Sequence, residues 1–324
     1  MSDQIKTLHL QSVLEKHSQD MTNKLVAITG TTSGTGFVAA REVAKKGAQV
    51  ILLNRKSERS DAAFIDLKTA VPDGKFEAVT CDLQSFSSVN AAIDSVLSKY
   101  DCLDVLCNNA GVMALEDLAT MDGYDVQMQT NVLSHFLLTK GLFPLLKKSS
   151  QARVVNHTSM ARSGGPLEPK YFGKNGGNLG GNGTEEENSS FSGPRWQRYH
   201  QTKLANFAFT YGLKERLEQS NIENVISLVA HPGLAATSLQ VTTAKTGGMN
   251  LEGELMGNAQ SAEDGATGII RACMDEKAQS GNFFGPELWG GFPDLITPEE
   301  DLITPSNLQI NWEGCEAVVG KFNL

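Results

Sequence analysis

Tyr199 and Lys203 are the pair of side chains in this sequence best suited to proton transfer. They are four residues apart, so that on a helix both lie on one face, about one turn apart. An ammonium group beside a phenol favours the phenolate and therefore lowers the phenol pKa. The pair predicts a tyrosine that exchanges a proton with a reacting oxygen atom.

A glycine-rich turn lies far upstream of this pair, directly after an apolar run. It reads Thr29-Gly30-Thr31-Thr32-Ser33-Gly34-Thr35-Gly36. Glycines let the backbone approach a pyrophosphate, and the next helix offers N–H donors to it. The position after a buried strand favours a dinucleotide site over an ordinary turn. The predicted contacts are Gly30, Thr32, Ser33, Gly34, Thr35 and Gly36. Together, the turn and the Tyr–Lys pair predict hydride transfer to or from a carbonyl.

The second apolar run ends at Asn54 and is followed by Arg55 and Lys56. A site for NAD usually has a carboxylate here, which accepts hydrogen bonds from the adenosine ribose. A guanidinium instead favours a 2′-phosphate, because arginine binds phosphate in a fork geometry. The sequence therefore predicts NADP(H) over NAD(H), with Asn54 and Arg55 as contacts. The alternative for Arg55 is a solvated loop charge.

Two further strand ends supply candidate cofactor contacts. Asp82 follows the third run; it would accept from the adenine amino group, cap the next helix, or do both. The fourth run ends in Asn108-Asn109-Ala110-Gly111, where small and amide residues let a flat ring lie close to the backbone. The contacts predicted at these two strand ends are Asp82, Leu83, Asn109, Ala110 and Gly111.

The elements that position these motifs are short apolar runs separated by helix-sized segments. The predicted strands are Leu25–Thr29, Gln49–Leu53, Phe76–Thr80, Leu103–Cys107, Arg153–His157, Val225–Ala230 and Asn282–Phe284. The predicted helices include Phe37–Lys46, Phe86–Tyr100, Gly123–Lys147 and Tyr199–Gln219. Runs that are apolar on both faces suit a parallel sheet covered on each side by helices. We predict an α/β fold, a single doubly wound Rossmann-type domain with a parallel seven-stranded sheet and its ligand at the carboxyl ends of the strands.

Ser159 and Asn131 are candidate partners of the Tyr–Lys pair. Ser159 follows the fifth predicted strand, at the edge of the sheet where a ligand is expected, and could donate a hydrogen bond to a carbonyl oxygen. Asn131 lies within a long amphipathic segment, although asparagine is a mediocre helix former. This mild misfit favours a special role, such as a kink that holds a water near Lys203.

These motifs, taken together, resemble those of the short-chain dehydrogenase/reductase family. The matching motifs are T-G-x-x-x-G-x-G at 29–36, N-N-A-G at 108–111, Asn131, Ser159, Tyr199-x-x-x-Lys203 and Pro232-Gly233. They occur in the family's order and cover roughly residues 22–290. Segments 133–139 and 231–233 resemble the retinol-dehydrogenase-like and protochlorophyllide-reductase-like branch.

The resemblance implies a catalytic tetrad and a reaction. Tyr199 would be the general acid in reduction and the base in oxidation, and Lys203 would lower its pKa and hold the nicotinamide ribose. Ser159 would orient the carbonyl, and Asn131 would anchor a proton-relay water. The implied activity is that of an NADP(H)-dependent carbonyl reductase or alcohol dehydrogenase, acting on a small-molecule ketone, aldehyde or alcohol.

The resemblance also implies a closing segment at Pro232, Gly233 and Thr237 over the nicotinamide. The stretch after it, 234–258, corresponds to the family's substrate lid. Its apolar residues favour a bulky or lipophilic carbonyl, with core packing as the alternative. These apolar residues are Leu239, Val241, Met249, Leu251, Leu255 and Met256.

The main departure from the family is the separation between Ser159 and Tyr199. A glycine-rich insertion at 161–198 makes it much longer than in the commonest members. A substrate-side flap and a tolerated surface insertion are both open interpretations. Other predicted parts are an N-terminal extension at 1–22, a dehydrogenase domain at 23–290 and a C-terminal tail at 291–324.

Composition limits the other classes of function. A net charge of −9 and a pI near 5.2 argue against a general nucleic-acid binder. Five cysteines without a C-x-x-C pair favour a reducing compartment, and we predict no metal site. We expect a soluble cytoplasmic protein, because neither a signal peptide nor a stretch of ~18 apolar residues is present. The family often pairs subunits through the helices that carry Asn131 and Tyr199, but irregular inserts can block this, so a monomer and a homodimer are both open.

Two other functions share some of these features. A sugar-nucleotide epimerase or dehydratase uses the same Tyr–Lys pair, but its typical T-G-x-x-G-x-x-G differs from the spacing of Gly30, Gly34 and Gly36. A non-catalytic dinucleotide-sensing protein would not need Ser159, Tyr199 and Lys203 intact.

Overall fold

A twisted sheet forms the centre of the computed structural model, which describes residues 5–250 and 257–324. Its strands are β1 (Leu25–Thr29), β2 (Gln49–Asn54), β3 (Lys75–Thr80), β4 (Val105–Asn108), β5 (Ala152–His157), β6 (Val225–Ala230), β7 (Phe283–Gly285) and β8 (Asp294–Ile296). Their order is β3-β2-β1-β4-β5-β6-β7-β8. Strands β1 to β7 are parallel, as expected for a doubly wound fold.

The sheet differs from the prediction at its two edges. It has eight strands within the described residues, not seven, because β8 adds antiparallel to β7 with Phe284 opposite Leu295. Three residues are too few to give a periodic signal. At the other edge, β3 was expected to be buried, but most of its side chains are not, since an edge strand has a neighbour on one side only.

Helices cover both faces of the sheet. They are α1 (Leu10–His17), α2 (Gly34–Lys45), α3 (Glu58–Ala70), α4 (Phe86–Lys99), α5 (Val126–Met128), α6 (Ser134–Leu146), α7 (Glu185–Ser189), α8 (Gly193–Gln219), α9 (Ser238–Lys245), α10 (Ala262–Gly265), α11 (Thr267–Met274) and α12 (Pro305–Val319). Helices α4, α6, α8 and α12 enclose one apolar layer, and α1, α2 and α11 enclose the other. A π-helical turn at Gln129–Leu133 joins α5 to α6, so the predicted helix 123–147 is interrupted around Asn131.

Both ends of the described chain pack on the domain. The Asp264 carboxylate accepts hydrogen bonds from the backbone of Leu8, His9 and Leu10 at 2.8 to 3.1 Å, which fixes the start of α1. At the other end, Trp312 of α12 is buried with its ring centroid 5.1 Å from that of Phe136. Within 5–250 and 257–324, no helix combines the length and apolar character that crossing a bilayer requires.

Candidate active site

A cleft of about 650 Å³ runs along the carboxyl ends of the central strands. Most of the predicted site residues line it. They are Gly30, Thr32, Ser33, Gly34, Thr35, Asn54, Arg55, Asp82, Leu83, Asn109, Ala110, Gly111, Ser159, Tyr199, Lys203, Pro232, Gly233 and Thr237. Gly36 and Asn131 do not line the cleft, but each lies next to a residue that does, Asn109 and Val112 respectively.

The glycine turn is shaped so that only glycine fits at its ends. Gly30 and Gly34 have φ angles of +73° and +57°, which side chains rarely adopt. A Cβ atom on Gly30 would lie 2.8 Å from Ala110, and one on Gly36 would lie 2.3 Å from the Asn109 amide. The bare backbone at the start of α2 therefore faces the cleft, and this cradle fits a pyrophosphate.

Asn54 shapes this turn with its side chain. Its Oδ1 accepts a hydrogen bond from the Thr31 backbone N–H at 2.9 Å, and its Nδ2 donates to Thr31 Oγ1 at 2.8 Å. Both ends of the amide are therefore bonded to the glycine turn. Beside it, Arg55 is exposed at the rim of the cleft.

Arg59 is a second cation at this rim and was missed from the sequence. It lies in the first turn of α3, which Ser57 caps, and its guanidinium donates to the Ser33 hydroxyl. Arg55 and Arg59 are four residues apart. The Ser57–Ser60 capping box marks where α3 begins and so places Arg59 in its first turn, but it does not predict the contact with Ser33.

Asp82 and Asn109 each use their side chains locally. Asp82 Oδ1 accepts from the Gln84 backbone at 2.9 Å, but the helix cap is Ser85, so the capping alternative for Asp82 is wrong. Asn109 Nδ2 donates to Thr29 O at 2.9 Å, and its Oδ1 accepts from Thr35 Oγ1 at 3.0 Å. Asn109 thereby holds the glycine turn against the end of β4.

The Tyr–Lys pair lies on α8 beside the end of β5. Lys203 Nζ is 5.7 Å from the centroid of the Tyr199 ring and donates to the backbone oxygen of His157 at 3.1 Å. Ser159 begins the 3₁₀ turn Met160–Ser163, where its Oγ accepts from the Ala161 backbone at 3.2 Å. Phenol, hydroxyl and ammonium thus line the same end of the cleft.

Burial dominates the electrostatics of this pair. It raises the pKa of Tyr199 to about 12, because the phenolate loses solvation, and a hydrogen bond with Ser159 offsets only part of this. The prediction that Lys203 gives this phenol a lowered pKa is therefore wrong, because the effect of burial dominates. Burial lowers the pKa of Lys203 to about 8. At neutral pH this arrangement favours a neutral phenol beside an ammonium, which is the proton donor that reduction of a carbonyl needs.

Asn131 lies in the π-helical turn and braces the wall of the cleft. Its Oδ1 accepts from the Val112 backbone at 2.8 Å, and its Nδ2 donates to Val112 O at 2.9 Å. Nδ2 also donates to Thr202 Oγ1 at 3.0 Å, on the helix of Tyr199 and Lys203. The side chain therefore joins the loop that follows β4 to α8.

Apolar side chains enclose the space next to Tyr199. Met113, Trp196, Tyr199 and Met249 form one buried cluster, against which Phe191 and Leu239 pack. Of the described residues that line the cleft, only Arg55, Arg59, Asp82 and Lys203 carry a charge. The side chains around the phenol are therefore uncharged apart from Lys203 and mostly apolar, in contrast to the rim near Arg55.

The insertion and the lid segment both contribute to this chamber. Phe191 and Trp196 come from the insertion at 161–198, which favours the flap interpretation. Leu239 and Met249 come from the lid segment, whereas Val241 is 44% exposed. The remaining apolar lid positions, 251, 255 and 256, lie outside the described residues.

Comparison with known proteins identifies similar sequences and a similar fold. The family model for short chain dehydrogenases matches residues 24–172. The chain is 33% identical to retinol dehydrogenase 13 of Mus musculus over 224 residues. This aligned stretch covers 67% of this chain and only 60% of that protein. Over 228 residues it is 31% identical to the chloroplastic short-chain dehydrogenase TIC 32 A of Brassica napus, covering 69% of this chain and 67% of that protein. A solved structure of an uncharacterized protein from Mycobacterium paratuberculosis superposes with a TM-score of 0.74 at 28% identity, covering 98% of this chain and 100% of that one.

Proposed function

The chain belongs to the short-chain dehydrogenase/reductase family, and from this premise we propose that it is an NADP(H)-dependent oxidoreductase that interconverts a carbonyl and an alcohol. The observation that carries the proposal is the convergence of Ser159, Tyr199 and Lys203 at one end of a cleft whose other end is the glycine turn. A bound nicotinamide would supply or accept the hydride.

The two arginines at the rim support the choice of NADP(H). Arg55 and Arg59 both line the cleft, Arg59 donates to the Ser33 hydroxyl, and two guanidinium groups suit the double charge of a 2′-phosphate. The amide of Asn54, where an NAD site commonly has a carboxylate, is bonded to Thr31 and adds no negative charge. We therefore assign Arg55 and Arg59 to the 2′-phosphate.

The proposed proton transfer follows from the protonation states. In reduction, the Tyr199 hydroxyl protonates the carbonyl oxygen as the hydride reaches the carbon. The Lys203 ammonium stabilises the negative charge left on the phenol oxygen, and the Ser159 hydroxyl donates to the substrate oxygen. In oxidation, the tyrosinate takes the proton from the alcohol.

The chamber beside Tyr199 supports a bulky or lipophilic substrate. Aromatic and thioether side chains there, Phe191, Trp196, Met113 and Met249, suit an apolar carbonyl compound. A relative named retinol dehydrogenase points in the same direction.

The test is NADPH oxidation, followed at 340 nm, against ketones and aldehydes from small to bulky. Tyr199→Phe should bind NADPH by calorimetry and lose turnover. Tyr211→Phe is the matched control, because Tyr211 is on the same helix but its hydroxyl bonds Gly281 O, away from the cleft. Turnover retained by Tyr199→Phe would exclude the proposed proton donor, and a wild type that binds NADPH without turning over any carbonyl would favour a sensing role.

A further inference from the structure

The hydroxyl of Thr29, at the end of β1, fixes the loop that follows β4. It accepts hydrogen bonds from the backbone N–H groups of Asn109 at 3.0 Å and Ala110 at 2.9 Å. Both lone pairs of the oxygen are then used, so the hydroxyl hydrogen must be donated elsewhere. Its nearest acceptor is His135 Nε2 at 2.9 Å, while Cys107 O is 3.5 Å away.

This assignment determines the tautomer of His135. Since Nε2 accepts from Thr29, Nδ1 carries the hydrogen, and it lies 2.9 Å from the backbone oxygen of Asn131, to which it donates. Burial lowers the pKa of His135 to about 4, and the charge of Lys203 acts in the same direction, so the ring is neutral at pH 7. A second proton, on Nε2, would find no acceptor in Thr29 Oγ1, because both lone pairs of that oxygen already accept backbone N–H groups.

The other end of the same loop is held by Asn131. Its amide bonds both the N–H and the carbonyl of Val112, at 2.8 and 2.9 Å. A Cβ atom on Gly111 would lie 3.3 Å from Asn131 Oδ1 and 3.6 Å from Lys203 Nζ. The loop 109–112 is therefore close to the catalytic ammonium.

The π-helical turn around Asn131 interrupts the regular hydrogen-bond ladder of the helix. In this turn, the backbone N–H of Ser134 donates to Gln129 O, five residues back. A single π turn is less regular than the α-helix on either side of it. The His135 side chain supplies a bond to the Asn131 carbonyl from outside the backbone ladder.

From these contacts we propose that His135 is a positioning residue, which connects Thr29 to Asn131 and so holds the loop 109–112 in register with Lys203. The proposal rests on the proposed function, since it concerns the same cleft. His135 touches neither Tyr199 nor Ser159 in the hydrogen-bond network and acts through the two residues that grip the loop.

Three substitutions separate the two bonds of the imidazole. His135→Phe removes both bonds and keeps most of the volume. The amide of Asn reaches about as far as Nδ1, so His135→Asn retains the bond to Asn131 O and loses Thr29. The amide of Gln reaches about as far as Nε2, so His135→Gln retains Thr29 and loses Asn131.

The first readout is calorimetric binding of NADPH, which requires no turnover. We expect His135→Phe to weaken it about tenfold, within the roughly 5- to 150-fold range for a lost buried hydrogen bond, and each amide variant to restore part of the loss. The second readout is the split between kcat and KM on a ketone that the wild type reduces. We expect kcat to fall more than KM rises, because Lys203 and the loop lose their register.

A double-mutant cycle with Thr29→Val tests the connection itself. If His135 acts through Thr29, the fold-losses in NADPH affinity do not multiply in the double variant. Multiplying losses, or a folded His135→Phe with wild-type affinity and kcat, would overturn the proposal. Circular dichroism and the urea midpoint identify variants that fail to fold. If His135→Phe does not fold, the same measurements are made with His135→Asn and His135→Gln. A wild type that binds NADPH but reduces no carbonyl refutes the proposed function and leaves the binding cycle to decide the role of His135.

Discussion

The indole N–H of Trp196 donates to the backbone oxygen of Gly248 at 2.9 Å, which joins the insertion to the lid segment. The same N–H also contacts Asn188 O at 3.2 Å, within the insertion. The Trp196 ring meets that of Tyr199 edge to face, with centroids 5.8 Å apart. One side chain therefore connects both substrate-side segments to the proposed proton donor.

The size of accepted substrates should depend on this indole. Trp196→Phe keeps an aromatic wall but loses both hydrogen bonds, so we expect the KM of bulky ketones to rise about fivefold or more, since a lost hydrogen bond costs ~1–3 kcal/mol. Small aldehydes should be little affected, and calorimetric NADPH binding should stay the same. Trp312→Phe is the control, because Trp312 lies in α12 and does not line the cleft. An equal change for small and bulky substrates would contradict a role in size selection.

Cofactor preference should depend on the two arginines at the rim. Arg55→Ala and Arg59→Ala should each raise the KM for NADPH roughly 5- to 150-fold, because each removes a charge-assisted bond of ~1–3 kcal/mol, and should change the KM for NADH far less. Lys56→Ala is the control, since Lys56 is exposed and does not line the cleft. Equal effects on the two cofactors would remove the arginines from the 2′-phosphate.

Asn54 should behave differently from its arginine neighbour. Asn54→Ala removes both bonds that shape the glycine turn at Thr31, so NADPH and NADH should lose affinity by similar factors, about tenfold each. Calorimetry with both cofactors measures this. A loss confined to NADPH would mean that the amide contacts the 2′-phosphate instead.

Stability should fall on acidification because three histidines are buried in neutral form. Burial lowers the pKa of His135 to about 4 and that of His157 and His231 to about 3, from an ordinary value of 6.5. Between about pH 6.5 and 4 the unfolded chain binds protons that the folded chain does not, so the free energy of unfolding decreases as pH falls. Asp125, whose pKa burial raises to about 6, acts in the opposite direction but is a single group.

Urea midpoints at pH 7.5, 6 and 5 measure this dependence. We expect a progressive decrease, and a smaller one in His135→Phe once its lower starting stability is subtracted. A midpoint that stays constant from pH 7.5 to 5 would show that these imidazoles are not held neutral.

The sequence alone was sufficient to predict those features that depend on local backbone conformation. Strand β1 and its glycine turn follow from an apolar run and from residues that need positive φ, and the family comparisons agree with the fold. Asn131 was singled out as a poor helix former, and the π turn around it is the physical counterpart of that misfit.

Other features depend on contacts between distant segments, which a local pattern does not encode. Arg59 reaches Ser33 only because α3 begins at Glu58, and no apolar periodicity marks that start. Trp196 meets Gly248 across 52 residues, so neither segment alone predicts the chamber. The same reason explains β8, whose three residues pair with a strand already formed.

Helix α12 has a consequence for how two copies of this chain could associate. Trp312 packs on Phe136 of α6 and Phe209 of α8, and the Arg216 guanidinium lies 3.9 Å from the centre of its ring. The family resemblance led us to expect that subunits would pair through these two helices. A dimer that used this face would first have to detach α12 and expose Trp312. Helix α12 therefore occupies the surface that a second copy of the chain would need.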